Sequence, residues 1–482
     1  MKTIFNKNAS LIALVALVGL LSGCKKEFLE VEPRGRLIAS NVSDYDLLLN
    51  STALLNQSAT GPVLLGDEIA DIDPFFTGSA LRTQRFYRWE GEVYLRDEDA
   101  QEMTTYNQNL YTYNKIILEV MDAKNGTEQQ KKAIRGEALM GRAWTNFMLV
   151  NMYGMPYTQA AAATDLAYPL IVDASVTKTN FTRATVKEMY DLIIEDLTTA
   201  INDLPPNMTH RLRASKPAAQ ALLGKVYVFM GRFSDALPLL NSAISSLGSS
   251  ALPARLYNYN VSFATGGNFL PISSLGPAYP TIPNNEETLY GKQLASPWTF
   301  TANEILLNPQ TVALFAANDL RLKFFRPNPA PSGANHPLGM LKRMGPIATP
   351  FGVIIPDMYL LRAECKARTN DLPGAVADLE FLRKNRMPEA SAGVPAAVQS
   401  NRDALVMFVI EERIREFALL GFRWFDMRRL SVDQLFGQKT FVHNVYAADG
   451  TVTNTYTSSP ERLVLQLPLK VLDQNPGMPN NP

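Results

Sequence analysis

The sequence predicts a mainly α-helical fold: tetratricopeptide-like helical pairs, stacked in an α-solenoid-like way, packed against an irregular, loop-rich half. Three observations predict it. Several long segments carry apolar residues at helical spacing. Two of them also carry small residues at the offsets where paired helices approach each other. Between those two lies a long stretch poor in charge and rich in proline, glycine and aromatic side chains.

The helical elements follow in chain order. Tyr106 to Met121 places Leu110, Tyr113, Ile117 and Val120 along one face. Ala133 to Tyr153 forms a second helix, ended by Gly154 and Pro156. Thr185 to Leu204 forms a third, with Thr185 and Glu188 at capping-box spacing and Pro205-Pro206 as the stop. Leu223-Gly224, Tyr227, Gly231, Ala236 and Ala243 fall on the spacing of a tetratricopeptide unit, with Gly231-Arg232-Phe233 as its turn. Tyr359 to Lys384 repeats the pattern through Ala363, Ala375 and Leu379, with Asn370-Asp371 in the turn. A weaker pair joins the Arg135–Tyr153 and Thr185–Leu204 helices. A long helix is expected from Ala404 to Arg429, with Ile410, Ile414, Phe417 and Gly421 on one face. Such pairs bury a core only by stacking. The expected helical parts therefore run over about 105–245 and 357–430, with a loop-rich insertion over about 246–356. That insertion contains a stretch, 248–300, with only four charges: Arg255, Glu286, Glu287 and Lys292. Trp144 and Trp424 sit on strong helices and are expected in the core.

The N-terminus reads as an address. Lys2 and Lys7 precede an uncharged, mostly apolar run of 13 residues, Ala9 to Leu21. A bilayer span needs about 20 residues, so the run fits a secretory leader. It ends in Leu21-Ser22-Gly23-Cys24, the bacterial lipoprotein pattern. Cleavage over 1–23 leaves 24–482 as the mature unit, with acyl chains such as palmitate on Cys24. Each buried methylene contributes about 0.8 kcal/mol, so two or more chains anchor firmly. Only Cys365 then remains, which excludes an internal disulfide. Removing Lys2 and Lys7 leaves 44 basic against 46 acidic residues. That balance argues against nucleic acid, which calls for a basic face.

No motif supports an enzyme or a cofactor. His210, His336 and His443 lack metal-ligand spacing, and the hydrolase, zinc and phosphate-loop signatures are absent. Glu412 and Glu416 lie one helical turn apart, a spacing that admits a glycosidase pair. Yet Arg413, Arg415, Arg423, Arg428 and Arg429 crowd the same region, and a structural charge network is the expectation.

In order along the chain, these pieces resemble the SusD/RagB family of outer-membrane nutrient-binding lipoproteins. The likeness begins at the lipobox and Phe28-Leu29-Glu30-Val31-Glu32-Pro33. It continues through Arg135-Gly136-Glu137-Ala138-Leu139-Met140-Gly141-Arg142-Ala143-Trp144, Asp191 to Leu197, Ala218 to Gly231, Asn318-Asp319-Leu320-Arg321 and Tyr359 to Glu364. Its sharpest block is Glu411-Glu412-Arg413, Glu416-Phe417-Ala418 and Gly421 to Arg429, and it closes with Leu467-Pro468, Asn475-Pro476-Gly477 and Asn481-Pro482. Asp473 stands where the family more often has Glu.

The resemblance implies an irregular ligand-binding half, binding without catalysis, and an oligosaccharide or peptide ligand. It also implies a TonB-dependent, SusC-like barrel partner at the extracellular face of the outer membrane. Sugar rings stack on exposed aromatic faces while polar side chains meet their hydroxyls. The candidate contacts are Phe75, Phe76, Arg85, Tyr87 and Trp89 in one group, and Tyr257, Tyr259 and Trp298 in another. The rival expectations are an exported glycan hydrolase on a helical scaffold and a tethered repeat scaffold for surface protein assembly.

Overall fold

The structure, a computed structural model, describes residues 39–482 apart from 58–60, 251, 296–304, 330–332, 347 and 438–439. Cys24 and Trp298 lie outside the described residues. Ten described α-helices reach eight residues or more: α1 Val42–Leu49, α2 Gln101–Glu119, α3 Glu128–Tyr153, α4 Val186–Asp203, α5 Lys216–Phe229, α6 Phe233–Ser245, α7 Ile355–Arg368, α8 Leu372–Lys384, α9 Arg402–Phe417 and α10 Arg423–Ser431. Sequential helices pack in pairs: α3 with α4, α5 with α6, and α7 with α8. The stack continues through α6 against α7, and α7 against α9. The mainly helical, tetratricopeptide-like fold is what the spacing of small residues predicts.

Local chemistry sets the ends and the approaches. The Thr185 hydroxyl accepts the Glu188 N–H (3.2 Å), and the Glu188 carboxylate accepts the Thr185 N–H (2.7 Å), so the expected capping box closes. Two glycines set interhelical distance. A Cβ on Gly224 would lie 2.9 Å from Leu240 Cγ, so its absence seats α6 on α5. A Cβ on Gly141 would fall 2.2 Å from the Tyr113 ring, so α2 lies directly on α3 and its Tyr113 reaches across.

The long helix expected from Ala404 to Arg429 is two helices. The chain leaves α9 at Phe417 and starts α10 at Arg423. Between them Leu419 (φ 60°) and Gly421 (φ 83°) take the left-handed conformation, which ends an α-helix. Phe417 and Phe422 then stack at 4.3 Å across the break, and Arg343 donates to the Ala418 carbonyl (3.2 Å). Apolar periodicity that continues in phase across such a turn hides it from a sequence reading.

Strands are short. β1 (Asn56–Gln57), β3 (Gln293–Ala295) and β5 (Ala348–Pro350) form one sheet, with β1 parallel and β5 antiparallel to β3. β2 (Ile69–Ile72), β4 (Leu306–Leu307), β6 (Val442–Tyr446) and β7 (Val452–Thr457) form a second, in the order β7-β6-β2-β4. The main apolar core runs from Val63 to Leu467 and contains Trp144 and Trp424, both buried.

Charge is buried with it. Arg413 donates to Asp357 (2.7 Å) and Asp426 (2.8 Å). Asp357 also pairs with Lys225 (2.9 Å), and Asp426 with Arg429 (2.8 Å), which reaches Glu364 (2.8 Å). One chain of ion pairs thus links α5, α7, α9 and α10. A second runs from Glu287 through Arg386 to Glu416, Arg321 and Glu412, with Arg383 and Arg415 also on Glu412. Removing one partner leaves an uncompensated buried charge, at a cost of about 3–5 kcal/mol. Arg413→Ala is expected to lower unfolding free energy by about that amount in urea titration; a loss under about 1 kcal/mol would show that the lattice does not hold these helices.

Candidate functional site

Most of the aromatic candidates face inward. Phe76, Tyr87 and Trp89 are buried on the second sheet. Trp89 stacks on His443 at 3.7 Å, Tyr87 donates to the Asn444 carbonyl (2.7 Å), and Phe76 packs on Tyr87 at 5.1 Å. Tyr257 and Tyr259 are also buried, in an edge-to-face cluster with Phe263, Phe269, Tyr279 and Phe324. Buried rings present no platform to solvent. Phe75 and Arg85 are half-buried. Arg85 donates to the Val93 carbonyl (3.3 Å). Phe76, Tyr87, Trp89, Tyr257 and Tyr259 all belong to the main apolar core, and Trp298 is outside the described residues.

Glu412 and Glu416 do not form an acid–base pair. Glu412 accepts from Arg383 (2.6 Å) and Arg415 (2.7 Å), and Glu416 from Arg386 (2.8 Å) and Arg321 (3.0 Å). Burial opposes the charge on Glu412, but Arg321, Arg415 and Arg383 outweigh it and hold the carboxyl well below the usual range. A general acid needs the opposite shift.

The open, polar concavity lies elsewhere. A groove of about 740 Å³ runs between α1, the start of α3 and the 205–214 loop. Its polar side chains include Asn41, Asp46, Asn50, Glu137, His210 and Arg213. At its base it meets a smaller recess of about 240 Å³, lined by Tyr113, Glu137, His210, Arg213, Tyr290 and Lys292 among others. Asn50, Glu137, His210 and Arg213 border both spaces.

Each wall has a local cause. The Asn41 N–H donates to Asp44 (2.8 Å) to start α1, which projects Asp46 and Asn50 one turn apart. The turn at Asn125 (φ 59°) and Gly126 (φ 78°) brings α3 back beside α1, and Asn125 donates to Asn41 (2.8 Å). Arg213 ties the three walls: Nε to Glu137 (2.7 Å), Nη2 to Asp46 (2.6 Å) and Nη1 to Asn50 (3.0 Å). Burial works against its charge, but Glu137 and Asp46 more than offset this and hold the guanidinium above its usual range. Burial pushes the Glu137 carboxyl up, against the pull of Arg213. The His210 Nδ1 accepts the Leu212 N–H (3.1 Å), so its neutral ring carries the proton on Nε2.

Lys292 closes the base. It is 3% exposed, and its Nζ donates to the Leu54 carbonyl (2.6 Å) and the Tyr113 hydroxyl (3.1 Å). Burial lowers its ammonium to about 7, with Glu137 pulling the other way. The one legible signal for it is its place among only four charges in 248–300. Of those, Arg255 pairs with Glu286 and Glu287 with Arg386, whereas no carboxylate pairs with Lys292 among the described residues. Asp46, Asn50, Glu137, His210 and Arg213 carry no signal of this kind; only the fold assembles them. No described group of His, Cys, Asp and Glu has the arrangement of a metal site, and no described helix is long and apolar enough to cross a membrane.

Residues 27–228 match a family model described as starch-binding, associating with the outer membrane, and residues 355–482 match the SusD family. No curated protein sequence matches the chain. Among solved structures, a putative sugar binding protein from Bacteroides vulgatus superposes with a TM-score of 0.72 at 20% identity, over 93% of this chain and 99% of that one. A SusD superfamily protein from Bacteroides thetaiotaomicron gives 0.69 at 17% identity, over 92% and 100%. A SusD-like carbohydrate binding protein from Bacteroides vulgatus gives 0.67 at 13% identity, over 91% and 97%. At these identities the likeness is one of fold.

The lowered Lys292 pKa makes a stability prediction. Unfolding lets the amine take up a proton between about pH 7 and its ordinary 10.5. Wild-type stability therefore gains from this group as pH rises through that window and carries the full penalty below it. Relative to Lys292→Met, the wild type should gain about 1.4 kcal/mol per pH unit across the window. A pH-independent difference in urea midpoints would refute the assignment.

Proposed function

The chain belongs to the SusD/RagB family, and from that premise we propose a lipid-anchored protein on the extracellular side of the outer membrane. It binds a nutrient, an oligosaccharide or a peptide, and passes it to a TonB-dependent, SusC-like barrel. The family match at both ends of the chain is the observation that carries this reading. The acylated Cys24 supplies the anchor, and the groove between α1, α3 and the 205–214 loop supplies the binding site. Carboxamide, carboxylate, imidazole and hydroxyl groups around it suit the hydroxyl rim of a sugar or the amides of a peptide. Trp298, Phe75 and Arg85 remain candidate contacts. Binding proceeds without turnover: Glu412 and Glu416 are committed to guanidinium partners.

Four measurements test the proposal. Cys24→Ala should leave the membrane fraction. Affinity purification from detergent-solubilised outer membranes should recover a large barrel; recovery of several soluble proteins and no barrel would favour a scaffold. Calorimetry against a glycan and peptide panel should give a ligand released unchanged, and Asp46→Ala or His210→Ala should weaken it about tenfold, the scale of one charge-assisted or polar hydrogen bond. Loss of binding in Trp298→Ala with no effect of the groove variants would move the site away from the groove. Steady product formation abolished by Glu412→Gln would replace binding by hydrolysis.

A further inference from the structure

The recess beneath the groove is chemically asymmetric, and Lys292 is the reason. The Lys292 carbonyl accepts the Phe351 N–H (2.9 Å), which fixes the backbone at the start of β3. The side chain then passes between two rings, with Nζ 4.5 Å from the Tyr290 centroid and 5.8 Å from that of Tyr113. An ammonium has three donors. Leu54 and Tyr113 take two of them, and both acceptors are neutral. The third has no acceptor among the described residues, and Lys292 lines the recess of about 240 Å³.

Its nearest anion is spoken for. Glu137 Oε1 accepts Arg213 Nε, and the same carboxylate takes the Ala214 N–H. Asp46 is likewise taken, by Arg213 Nη2. His210 also borders the recess, with its Nδ1 taken by the Leu212 N–H. A buried cation with only neutral partners is costly, and an anion delivered to it recovers that cost. The recess is smaller than a drug-sized pocket, so it holds one terminal unit of a ligand whose remainder lies in the groove.

Building on the groove as the nutrient site, we propose that the recess receives the terminal carboxylate of an acidic ligand, with Lys292 as its counter-ion. The carboxylate belongs either to a uronic acid at a glycan end or to a peptide C-terminus. Arrival of the anion favours the ammonium over the free amine, so binding takes up a proton when the pH lies above about 7. A neutral ligand of the same shape gains nothing from this coupling.

The test uses four probes with the full-length protein: a glucuronate-ended and a glucose-ended disaccharide, and trialanine with a free or amidated C-terminus. Calorimetry at pH 6.5 and 8.5, in buffers of different ionisation enthalpy, reads affinity and proton uptake together. The expected result is tighter binding of one acidic probe than of its neutral twin. That acidic probe should weaken about tenfold from pH 6.5 to 8.5, with a fraction of a proton taken up per ligand. Whichever pair shows the effect identifies the source of the carboxylate. Lys292→Met should erase both the preference and the pH dependence. Equal affinities of acidic and neutral twins, or an acidic probe bound equally at both pH values by the wild type, would overturn the inference and leave the nutrient-binding reading in place. Failure of all four probes and of the wider panel would overturn both.

Discussion

The structure depends on a lattice of buried ion pairs at the centre of the helical stack. Arg413 is its node, almost without solvent contact and clamped between Asp357 and Asp426. Through Lys225, Glu364 and Arg429 it fixes the relative positions of α5, α7, α9 and α10. Burial of so many charges is unfavourable until every partner is in place. That condition makes the arrangement all-or-none and specifies how non-neighbouring helices meet. Apolar packing alone, which is tolerant of sliding, does not specify this.

A rigid stack lets the irregular connections do chemistry. Gly141 permits α2 to lie on α3, which places Tyr113 over the base of the recess. The three walls of the groove come from α1, α3 and the 205–214 loop, and Arg213 joins them through Glu137, Asp46 and Asn50. Lys292 enters from the small sheet at the opposite side of Tyr113. The site is thus held by the same kind of interaction that holds the core, with one difference. In the ion-pair lattice each cation meets carboxylates; at the recess one ammonium meets only neutral oxygens, as the buried Arg428 guanidinium does against the Leu463 and Gly154 carbonyls.

Much of the fold was legible in the sequence. The pairing of α5 with α6 and of α7 with α8 follows from Gly224, Ala236, Ala243, Ala363 and Ala375, because small residues at those offsets have one structural use. The Thr185 capping box was legible for a similar reason. The break at Leu419–Gly421 was not, since apolar periodicity runs through it and a single glycine in a helix is common. The candidate site was largely illegible. Aromatic side chains look alike in sequence whether they face solvent or one another, and Phe76, Tyr87, Trp89, Tyr257 and Tyr259 face one another. The polar residues of the groove come from three distant segments and carry no spacing. Lys292 alone left a trace, as an isolated charge in a charge-poor stretch.

Hydrogen exchange with and without the tightest ligand of a glycan and peptide panel shows where on the protein that ligand sits. Protection is expected at 41–50, 125–137, 205–214 and 290–292, the segments that build the groove and its recess. Protection confined to 75–89 and 257–259, with those four segments unchanged, would contradict this placement.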